Sequence, residues 1–307
     1  MFKIIRRILI ALAALVVVIV TAIGVYVYWM FYDNRMPSSG EFVLDIDAIR
    51  LMSQSIDGPL AQRIEVETLS HTFAPKIAMA AGTDWSQVDL VRNSFKVTFP
   101  NQSVLIETGQ SRSNAMRFGA DSYDDEAWQR MLVAMTSAHI ILITHGHADH
   151  AGGLLELAGE EGVRAAARLN ANQIEAMKSG GLAATAFKPT LEADETLAVA
   201  PGIVVIPAPG HTPGSQLVYV KLQDGREYLF VGDTASLADN VRLLRPRSRY
   251  VMSNMSGDDR PAVFLQSYAI QALLSKEPNV NLVPGHDAIE VESLIERRAV
   301  KRGFTNE

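Results

Sequence analysis

The most apolar stretch of the chain stands close to its N-terminus. Residues 8–31 contain no charged side chain, and at about 1.5 Å per helical residue they are long enough to cross a hydrocarbon core of about 30 Å. Lys3, Arg6 and Arg7 precede this run, and aromatic side chains are concentrated at its far end. The pattern predicts a transmembrane helix with its N-terminus in the cytoplasm. The remaining chain is then exported, which in a Gram-negative bacterium means the periplasm.

A cleaved signal peptide is the alternative interpretation of these residues, because it also combines a positive start with an apolar run. The run is longer than the roughly 7–15 apolar residues of a typical signal peptide, and no clear small-residue cleavage site precedes the aromatic cluster. The pattern favours an anchor that contacts the lipid bilayer through residues 8–31, although both alternatives export the chain. Residues 36–40 have linker composition, and we expect them to lift the following domain off the bilayer.

Beyond the linker, the apolar positions change between the period of a strand and that of a helix. The predicted strands are residues 64–73, 94–99, 104–106, 140–143, 203–206, 216–220 and 228–231. The predicted helices are residues 44–56, 124–137, 153–177, 261–275 and 289–300. Runs of strands with helices between them indicate an α/β architecture, in which sheets pack against each other with helices outside.

The length of the chain limits the number of domains, and its net charge limits the class of binding partner. We expect an anchor in residues 1–32, a linker with a short helix in residues 33–62, and one domain in residues 63–307. The formal net charge of −6 gives no general attraction to a phosphate backbone, so a small-molecule substrate is expected and a nucleic acid is not. The oligomeric state leaves no signal in the sequence.

Cysteine is absent from the chain, which removes several kinds of chemistry. Disulfides, a thiolate nucleophile and a lipidated N-terminal cysteine are all excluded. Any transition-metal site must therefore be made of imidazole and carboxylate groups.

Candidate metal ligands follow the apolar strand 140–143 directly. The sequence there is Thr-His-Gly-His-Ala-Asp-His, which places His145, His147, Asp149 and His150 on one loop between a strand and a helix. Three of the seven histidines of the chain lie in this loop. So dense a group of ligand side chains is unfavourable unless an ion holds it together.

Three later loops carry further candidates, two of them directly after predicted strands and the third in a similar loop. His211 lies in Gly-His-Thr-Pro-Gly, Asp233 in Gly-Asp-Thr, and His286 in Pro-Gly-His-Asp. Loops at one edge of a layered α/β fold are where sites are built. His71 and His139 match no such motif, and we interpret them as structural.

The His-x-His-x-Asp-His motif and the three later loops resemble the metallo-β-lactamase superfamily, as in glyoxalase II enzymes and quorum-quenching lactonases. The resemblance covers roughly residues 64–300 and implies a four-layer αββα sandwich, preceded here by the transmembrane helix. It also implies a ligand set for two metal ions. The first ion is assigned to His145, His147 and His211, the second to Asp149, His150 and His286, with Asp233 as the bridge.

The donor types and the resemblance together predict the cofactor. Neutral imidazoles and carboxylates suit two zinc ions, while iron, manganese and cobalt accept the same ligands. A metal pair lowers the pKa of a bridging water from about 15.7 toward 7, which supplies hydroxide as a nucleophile. Asp149 is then placed to relay a proton to the leaving group. We therefore expect a metal-dependent hydrolase.

The substrate class is narrowed by the loops around the predicted ligands. Asp233 argues against a true β-lactamase, and the loops of His211 and His286 look more like those of lactonases than of glyoxalase II. We expect hydrolysis of a lactone or a carboxylic ester. The alternatives are a phosphodiesterase, a thioester hydrolase of the glyoxalase II type, and a zinc-binding domain without catalysis.

Two departures from the lactonase pattern accompany this expectation. Several lactonases have a tyrosine three residues after the bridging aspartate, and this chain has Ser236 there. Glu107 replaces the usual aspartate before Thr-Gly, a change that we interpret as one of loop geometry. The loops 180–189 and 255–259 carry no readable code for a substrate.

Overall fold

The computed structural model describes residues 2–35, 37, 39–179 and 184–305. Its first helix, α1, covers Phe2–Phe31, and its most apolar part has a mean hydropathy of 3.1. Within the described residues this helix is the one long and apolar enough to cross a membrane, a property that a signal sequence shares. The predicted apolar helix is therefore present, while its orientation in a membrane stays a prediction.

Strands and helices alternate through the rest of the described chain. The strands are β1 Arg63–Pro75, β2 Gln87–Thr98, β3 Ser103–Ile106, β4 Ser122–Tyr123, β5 Ile140–Leu142, β6 Ala167–Arg168, β7 Leu197–Ala200, β8 Ile203–Pro207, β9 Gln216–Lys221, β10 Glu227–Gly232, β11 Val280–Pro284 and β12 Lys301–Arg302. The helices are α2 Ile46–Met52, α3 Lys76–Met79, α4 Arg112–Arg117, α5 Asp125–Ser137, α6 Ala148–Glu156, α7 Glu161–Ala166, α8 Ala171–Ser179, α9 Ala238–Arg242, α10 Arg249–Val251, α11 Arg260–Lys276 and α12 Ala288–Glu296. A 3₁₀ turn covers Ala184–Ala186 and a π-helical turn covers Met252–Ser256.

These strands form two mixed sheets in the described part of the chain. The first has the order β12-β1-β2-β3-β5-β6, with β4 paired to β1, and the second has the order β11-β10-β9-β8-β7. Most neighbours are antiparallel, but β1 lies parallel to β12, β5 lies parallel to both β3 and β6, and β10 lies parallel to β11. The parallel neighbours matter for function, because their carboxyl ends meet at one edge.

The alternation of side chains along each strand builds the layers. Val104 and Ile106 of β3 point into a core shared by both sheets, whereas Leu105 between them faces a separate core with the helices. Phe95 of β2 and Phe230 of β10 meet across the two sheets edge to face, with ring centroids 5.0 Å apart. The sheets therefore pack face to face around a central apolar layer.

Helices cover the outer faces of both sheets. Side chains of α5, α6, α7 and α8 share the core of the first sheet, while side chains of α2, α9 and α11 share that of the second. The order of layers is helix, sheet, sheet, helix. This confirms the predicted αββα sandwich.

The single helix predicted for residues 153–177 is wrong. The structure has α6, α7 and α8 there, with the short strand β6 between the last two. Ala167 and Arg168 pair with the free edge of β5, and this pairing buries Ala167 and Leu169 in the core. A continuous helix and the observed short strand would bury the same apolar residues. Pairing with β5 therefore decides in favour of the strand, although the sequence has a helical period.

The end of α1 contacts the domain directly. The peptide N–H of Gly82 donates to Phe31 O at 2.9 Å, and Asp33 lies 2.6 Å from Arg249 in an ion pair. Residues 36 and 38 of the predicted linker lie outside the described residues. Because the contacts precede the linker, the helix end itself is seated on the domain.

Candidate metal centre

The ends of neighbouring strands bring the predicted ligands to one edge of the sandwich. The loop after β5 carries His145 and His147, and α6 begins at Ala148 directly behind it. Gly232 of β10 pairs with Pro284 of β11, so the residues that follow these two strands emerge side by side. The seven predicted side chains lie together, in groups whose candidate ligand atoms are all within 4.8 Å of one another.

The first group consists of three imidazoles around a common point. His145 Nε2 lies 3.1 Å from His147 Nδ1 and 3.1 Å from His211 Nε2, and the last two nitrogens are 2.9 Å apart. A neutral imidazole has only one N–H, so a closed triangle of ring nitrogens cannot be satisfied by protons shared within it. Nitrogens spaced in this way can each approach one zinc ion at about 2.0–2.1 Å.

The second group combines two imidazoles with a carboxylate. His150 Nε2 lies 3.2 Å from His286 Nε2, and Asp149 Oδ2 lies 3.7 Å from His286 Nε2. Both histidines are buried, whereas the Asp149 side chain is 23% exposed. The exposed side of Asp149 and the half-buried His147 indicate where the centre is open to solvent.

Asp233 lies between the two groups with one oxygen facing each. Its Oδ1 lies 2.9 Å from His286 Nε2, and its Oδ2 lies 3.5 Å from His211 Nε2. The preceding Gly232 is in the left-handed region at φ 49°, and a Cβ there would come within 2.2 Å of Thr144 Oγ1. The Gly-Asp-Thr motif thus needs its glycine to bring the carboxylate this close.

The ring nitrogens that point away from the centre face oxygen atoms. These pairs are His145 Nδ1 with Thr144 Oγ1 at 3.2 Å, His150 Nδ1 with Glu107 Oε1 at 3.2 Å, His211 Nδ1 with Asp258 Oδ1 at 2.8 Å, and His286 Nδ1 with Val91 O at 2.9 Å. At His145, His150 and His286 these acceptors place the N–H on the outer nitrogen and leave the lone pair of the inner nitrogen for an ion. His211 Nδ1 lies 2.8 Å from both the Asp258 carboxylate and the Arg247 Nη2 group. The donor set therefore fits a metal centre.

Burial lowers the pKa of some of the histidines, and neighbouring carboxylates raise the pKa of another. Burial lowers the pKa of His147 to about 4 and holds the pKa of His145 and His211 below the usual range. At His150 burial also acts to lower the pKa, but the carboxylates of Glu107 and Asp149 outweigh it and raise the pKa to about 9. In the ion-free protein the first group is therefore neutral at pH 7, while His150 carries a proton that an ion must displace.

Arg247 and Arg92 support the two carboxylates, and the sequence analysis identified neither of them. Buried Arg247 donates through Nη1 to Asp233 Oδ2 at 2.8 Å and through Nη2 to Asp258 Oδ2 at 2.7 Å. Arg92 Nε donates to Asp149 Oδ2 at 3.1 Å. Arg247 and Asp258 follow no motif, and only their position in the fold reveals them.

Glu107 has a chemical role as well as a geometric one. It adopts a positive φ of 66°, as expected for an unusual loop, yet its Oε1 also accepts from the peptide N–H of Thr144 at 3.2 Å and faces His150. Ser236 is fully buried and hydrogen-bonds with Asp233 and Arg247. Its hydroxyl therefore supports the carboxylate and is not presented to solvent.

The remaining predictions concern residues outside this cluster. His71 Nδ1 pairs with Asp89 at 2.9 Å, and His139 Nδ1 accepts from the peptide N–H of Ser103 at 3.4 Å. Both contacts agree with structural roles. Residues 180–183 of the loop 180–189 lie outside the described residues.

Comparisons with known proteins agree with this geometry. The model of the metallo-beta-lactamase superfamily matches residues 137–286, a range that contains all seven predicted ligands. No curated protein matches the sequence.

Solved structures share the fold at low sequence identity. A quorum-quenching N-acyl homoserine lactone lactonase has 19% identity and a TM-score of 0.60, covering 78% of this chain and 97% of its own. A probable metal-dependent hydrolase from Staphylococcus aureus has 16% identity and a TM-score of 0.56, with coverages of 74% and 90%. A dizinc quorum-quenching lactonase solved with an N-hexanoyl-L-homoserine product has 13% identity and a TM-score of 0.52, with coverages of 72% and 86%. The chain therefore carries a metallo-β-lactamase domain, the fold of metal-dependent hydrolases, as its motif predicted.

Proposed function

We propose that this protein is a dinuclear metal-dependent hydrolase of lactones or carboxylic esters. The observation that carries the proposal is the placement of the Asp233 carboxylate between two ligand groups, with one oxygen toward His286 and the other toward His211. Two ions about 3.5–4 Å apart with a shared carboxylate are typical of hydrolytic metal pairs. Zinc is the proposed metal because the donors are imidazoles and carboxylates.

The proposed ligand roles follow the two groups. His145, His147 and His211 would hold one ion, Asp149, His150 and His286 would hold the other, and Asp233 would serve both groups. When bound, such a pair supplies Lewis-acid polarisation of the scissile carbonyl and activation of water near neutral pH.

The chain's own residues orient the reaction. Arg92 occupies a lone pair of Asp149 Oδ2, which leaves Oδ1 to accept a proton and pass it to the leaving oxygen. Arg247 fixes the second carboxylate through Asp233 Oδ2. The substrate enters on the side of His147 and Asp149, where the centre is open. Water reaches the centre from the same side.

A lactone or ester is proposed because structural neighbours with this fold act on N-acyl homoserine lactones. The loops around His211 and His286 agree with that class. Ser236 stands where several lactonases have a tyrosine, and its buried hydroxyl cannot contact a substrate carbonyl. We therefore expect a substrate range different from that of those lactonases.

Helix α1 is proposed to be a retained anchor, with the N-terminus in the cytoplasm and the domain in residues 63–307 exported. The side chain of Asp33 is only 2% exposed and is paired with Arg249 and Arg35. Cleavage after the end of the helix would remove Phe31, whose carbonyl the domain binds. The intact mass of the protein extracted from membranes tests this point directly.

The function is tested with the full chain purified in detergent and loaded with zinc. We expect two zinc equivalents per chain and turnover of lactones or esters, compared with thioester and bis-aryl phosphate substrates. Asp149→Ala removes a ligand and the proton relay, so its rate should fall at least about 100-fold. Asp57→Ala, which changes an exposed aspartate, serves as the matched control.

Three results would contradict the proposal. Faster cleavage of the phosphate diesters would favour the phosphodiesterase, and faster cleavage of the thioesters would favour a glyoxalase II type of activity. Full zinc loading without turnover across the panels would favour the binding domain.

A further inference from the structure

The end of α1 is built into the domain by contacts to its backbone and side chains. The peptide N–H of Gly82 donates to Phe31 O at 2.9 Å, and Arg260 Nη2 donates to Asp33 O at 2.7 Å. Arg249 forms the 2.6 Å ion pair with Asp33, and its guanidinium lies 5.0 Å from the Trp29 ring centroid. The domain therefore has a fixed orientation relative to the helix.

The two segments that hold the helix end also support the metal centre. Residues 81–92 begin with the helix contact of Gly82 and end with Arg92, which holds Asp149. The other segment, residues 245–260, includes Arg247 and the anchor contact of Arg249. The peptide N–H of Ala81 donates to Pro246 O at 2.8 Å and joins the segments.

The metal centre consequently lies near the membrane end of α1. Tyr250 stacks on Phe31 with ring centroids 5.4 Å apart. Tyr250 is three positions after Arg247 in the sequence, so their Cα atoms are within about 11 Å of each other. Arg247 in turn contacts Asp233 directly.

Large apolar side chains are exposed at this junction and close in sequence to residues of the metal centre. Trp85 is 55% exposed and lies 5.5 Å from the Phe31 ring, while Tyr250 is 45% exposed. Met255 is 73% exposed three residues before Asp258, and Ile289 is 79% exposed three residues after His286. Tryptophan and tyrosine favour the membrane interface, and exposed apolar groups beside a site indicate a membrane or ligand contact.

Arginines surround the same junction although the chain carries a net charge of −6. Arg35 and Arg249 pair with Asp33, Arg260 binds the Asp33 carbonyl, and Arg245 lies against Gly82. Asp33 pairs with two of these guanidinium groups, and Asp84 and Asp259 are further acids close to these contacts in the sequence. A local positive charge next to an apolar helix end fits anionic lipid headgroups.

We propose that the metal centre opens at the bilayer surface and that its substrates are long-chain acyl esters or lactones dissolved in the membrane. This rests on the proposed hydrolase function and on the retained anchor. Water adds across the acyl C–O bond: its oxygen joins the acyl carbon, and a proton passes to the leaving oxygen. The products are a carboxylic acid and an alcohol, so no further reactant is needed.

The orientation is tested without any activity, by quenching tryptophan fluorescence with lipids whose acyl chains carry bromine. The full chain is placed in vesicles of phosphatidylcholine and phosphatidylglycerol. We expect Trp85→Phe to lose part of the quenchable emission, because Trp85 lies at the bilayer. Trp128→Phe is the matched control, since Trp128 is buried in the core under α5. Equal quenching in the wild type and in Trp85→Phe would overturn the orientation.

The substrate class is tested with two esters of one alcohol, hexadecanoyl and butanoyl, and the same vesicles. Diluting the hexadecanoyl ester about tenfold with lipid, at constant bulk concentration, should lower its rate about tenfold, because the reaction depends on its concentration in the membrane. The rate on the butanoyl ester should not change. A hexadecanoyl rate that follows bulk concentration would overturn the substrate class but leave the hydrolase. Failure to hydrolyse either ester would overturn both proposals.

The contact between the end of α1 and the domain is tested by Asp33→Asn, which breaks the ion pair with Arg249. We expect the ratio of hexadecanoyl to butanoyl rates to fall at least about fivefold as the domain loses its fixed orientation. Asp224→Asn is the matched control, because Asp224 pairs with Arg226 in the β9–β10 hairpin, at the opposite end of β10 from Asp233. An unchanged ratio in a folded Asp33→Asn protein would contradict the claim that this contact orients the metal centre toward the bilayer. If that variant does not fold, the lipid dilution series on the wild type decides.

Discussion

Replacing Asp258 with asparagine should weaken one of the two zinc ions far more than the other. The Asp258 side chain is fully buried, and its two oxygens accept from His211 Nδ1 at 2.8 Å and from Arg247 Nη2 at 2.7 Å. Burial acts to raise the pKa of Asp258, but Arg247 outweighs it and holds the pKa below the usual range. The group is therefore a carboxylate at neutral pH, and it fixes the orientation of a ligand imidazole.

Asparagine has the same shape but offers one acceptor and one donor where two donors converge. Either His211 or Arg247 must then face an NH₂ group, and the negative charge between them is lost. Loss of such a supporting partner typically weakens metal binding by about 10–100-fold, which corresponds to about 1.4–2.8 kcal/mol. The weakened ion is the one assigned to His145, His147 and His211.

Competition with a chromophoric zinc chelator measures both affinities on the full chain in detergent. The affinity for the ion held by His145, His147 and His211 should fall about 10–100-fold. The affinity for the other ion should change by less than about threefold, because its ligands keep their own partners. Asp259→Asn is the matched control, since exposed Asp259 only caps α11 by accepting from the Ala262 N–H, and asparagine caps equally well. Equal weakening by both substitutions, or no weakening by Asp258→Asn, would refute the reasoning.

Two further predictions concern packing and pH. Gly285→Ala places a Cβ 2.6 Å from Asp233 Oδ1 and should lower zinc binding and turnover at least about tenfold by displacing a ligand, whereas Gly162→Ala in α7 meets no atom within 4 Å and should leave both unchanged. Burial raises the pKa of Glu65, but partners including Lys96 outweigh it and lower the pKa, so its charge stabilises the fold above about pH 4.3 and this contribution is lost as pH falls. Denaturant titrations should show that Glu65→Gln costs about 3 kcal/mol at pH 7 and progressively less as the pH falls through the lowered pKa of Glu65.

Seven strands were predictable because burial leaves a simple apolar pattern, whereas β4, β6, β7, β11 and β12 were not predicted. Residues 203–206, 216–220 and 228–231 are continuous apolar runs, since alternate side chains enter the central core and the outer core. The prediction for residues 153–177 failed because their apolar pattern fits two arrangements. One is a single long helix, and the other is a series of short helices interrupted by a short strand. The second arrangement forms because residues 167–168 pair with the edge of β5, and this strand is distant in the sequence.

The candidate ligands were predictable because they stand in motifs at strand ends. Arg247, Asp258 and Arg92 were not, because each acts through a contact made only in the fold. Arg247 reaches Asp233 from a segment without regular structure, and an arginine there has no characteristic spacing. Positions that support ligands are therefore less visible in one sequence than the ligands themselves.

Charge explains why the centre needs acids beyond its predicted ligands. Two divalent ions would bring a charge of about +4 into a largely buried site, and Arg247 is itself buried there. Asp149 and Asp233 alone would leave a large excess of positive charge. Glu107 and Asp258 add two carboxylates behind His150 and His211, where they offset the charge and also orient the imidazoles. The arginine beside Asp233 is tolerated because Asp258 faces it, so Asp258 both neutralises Arg247 and orients His211 of the first ligand group.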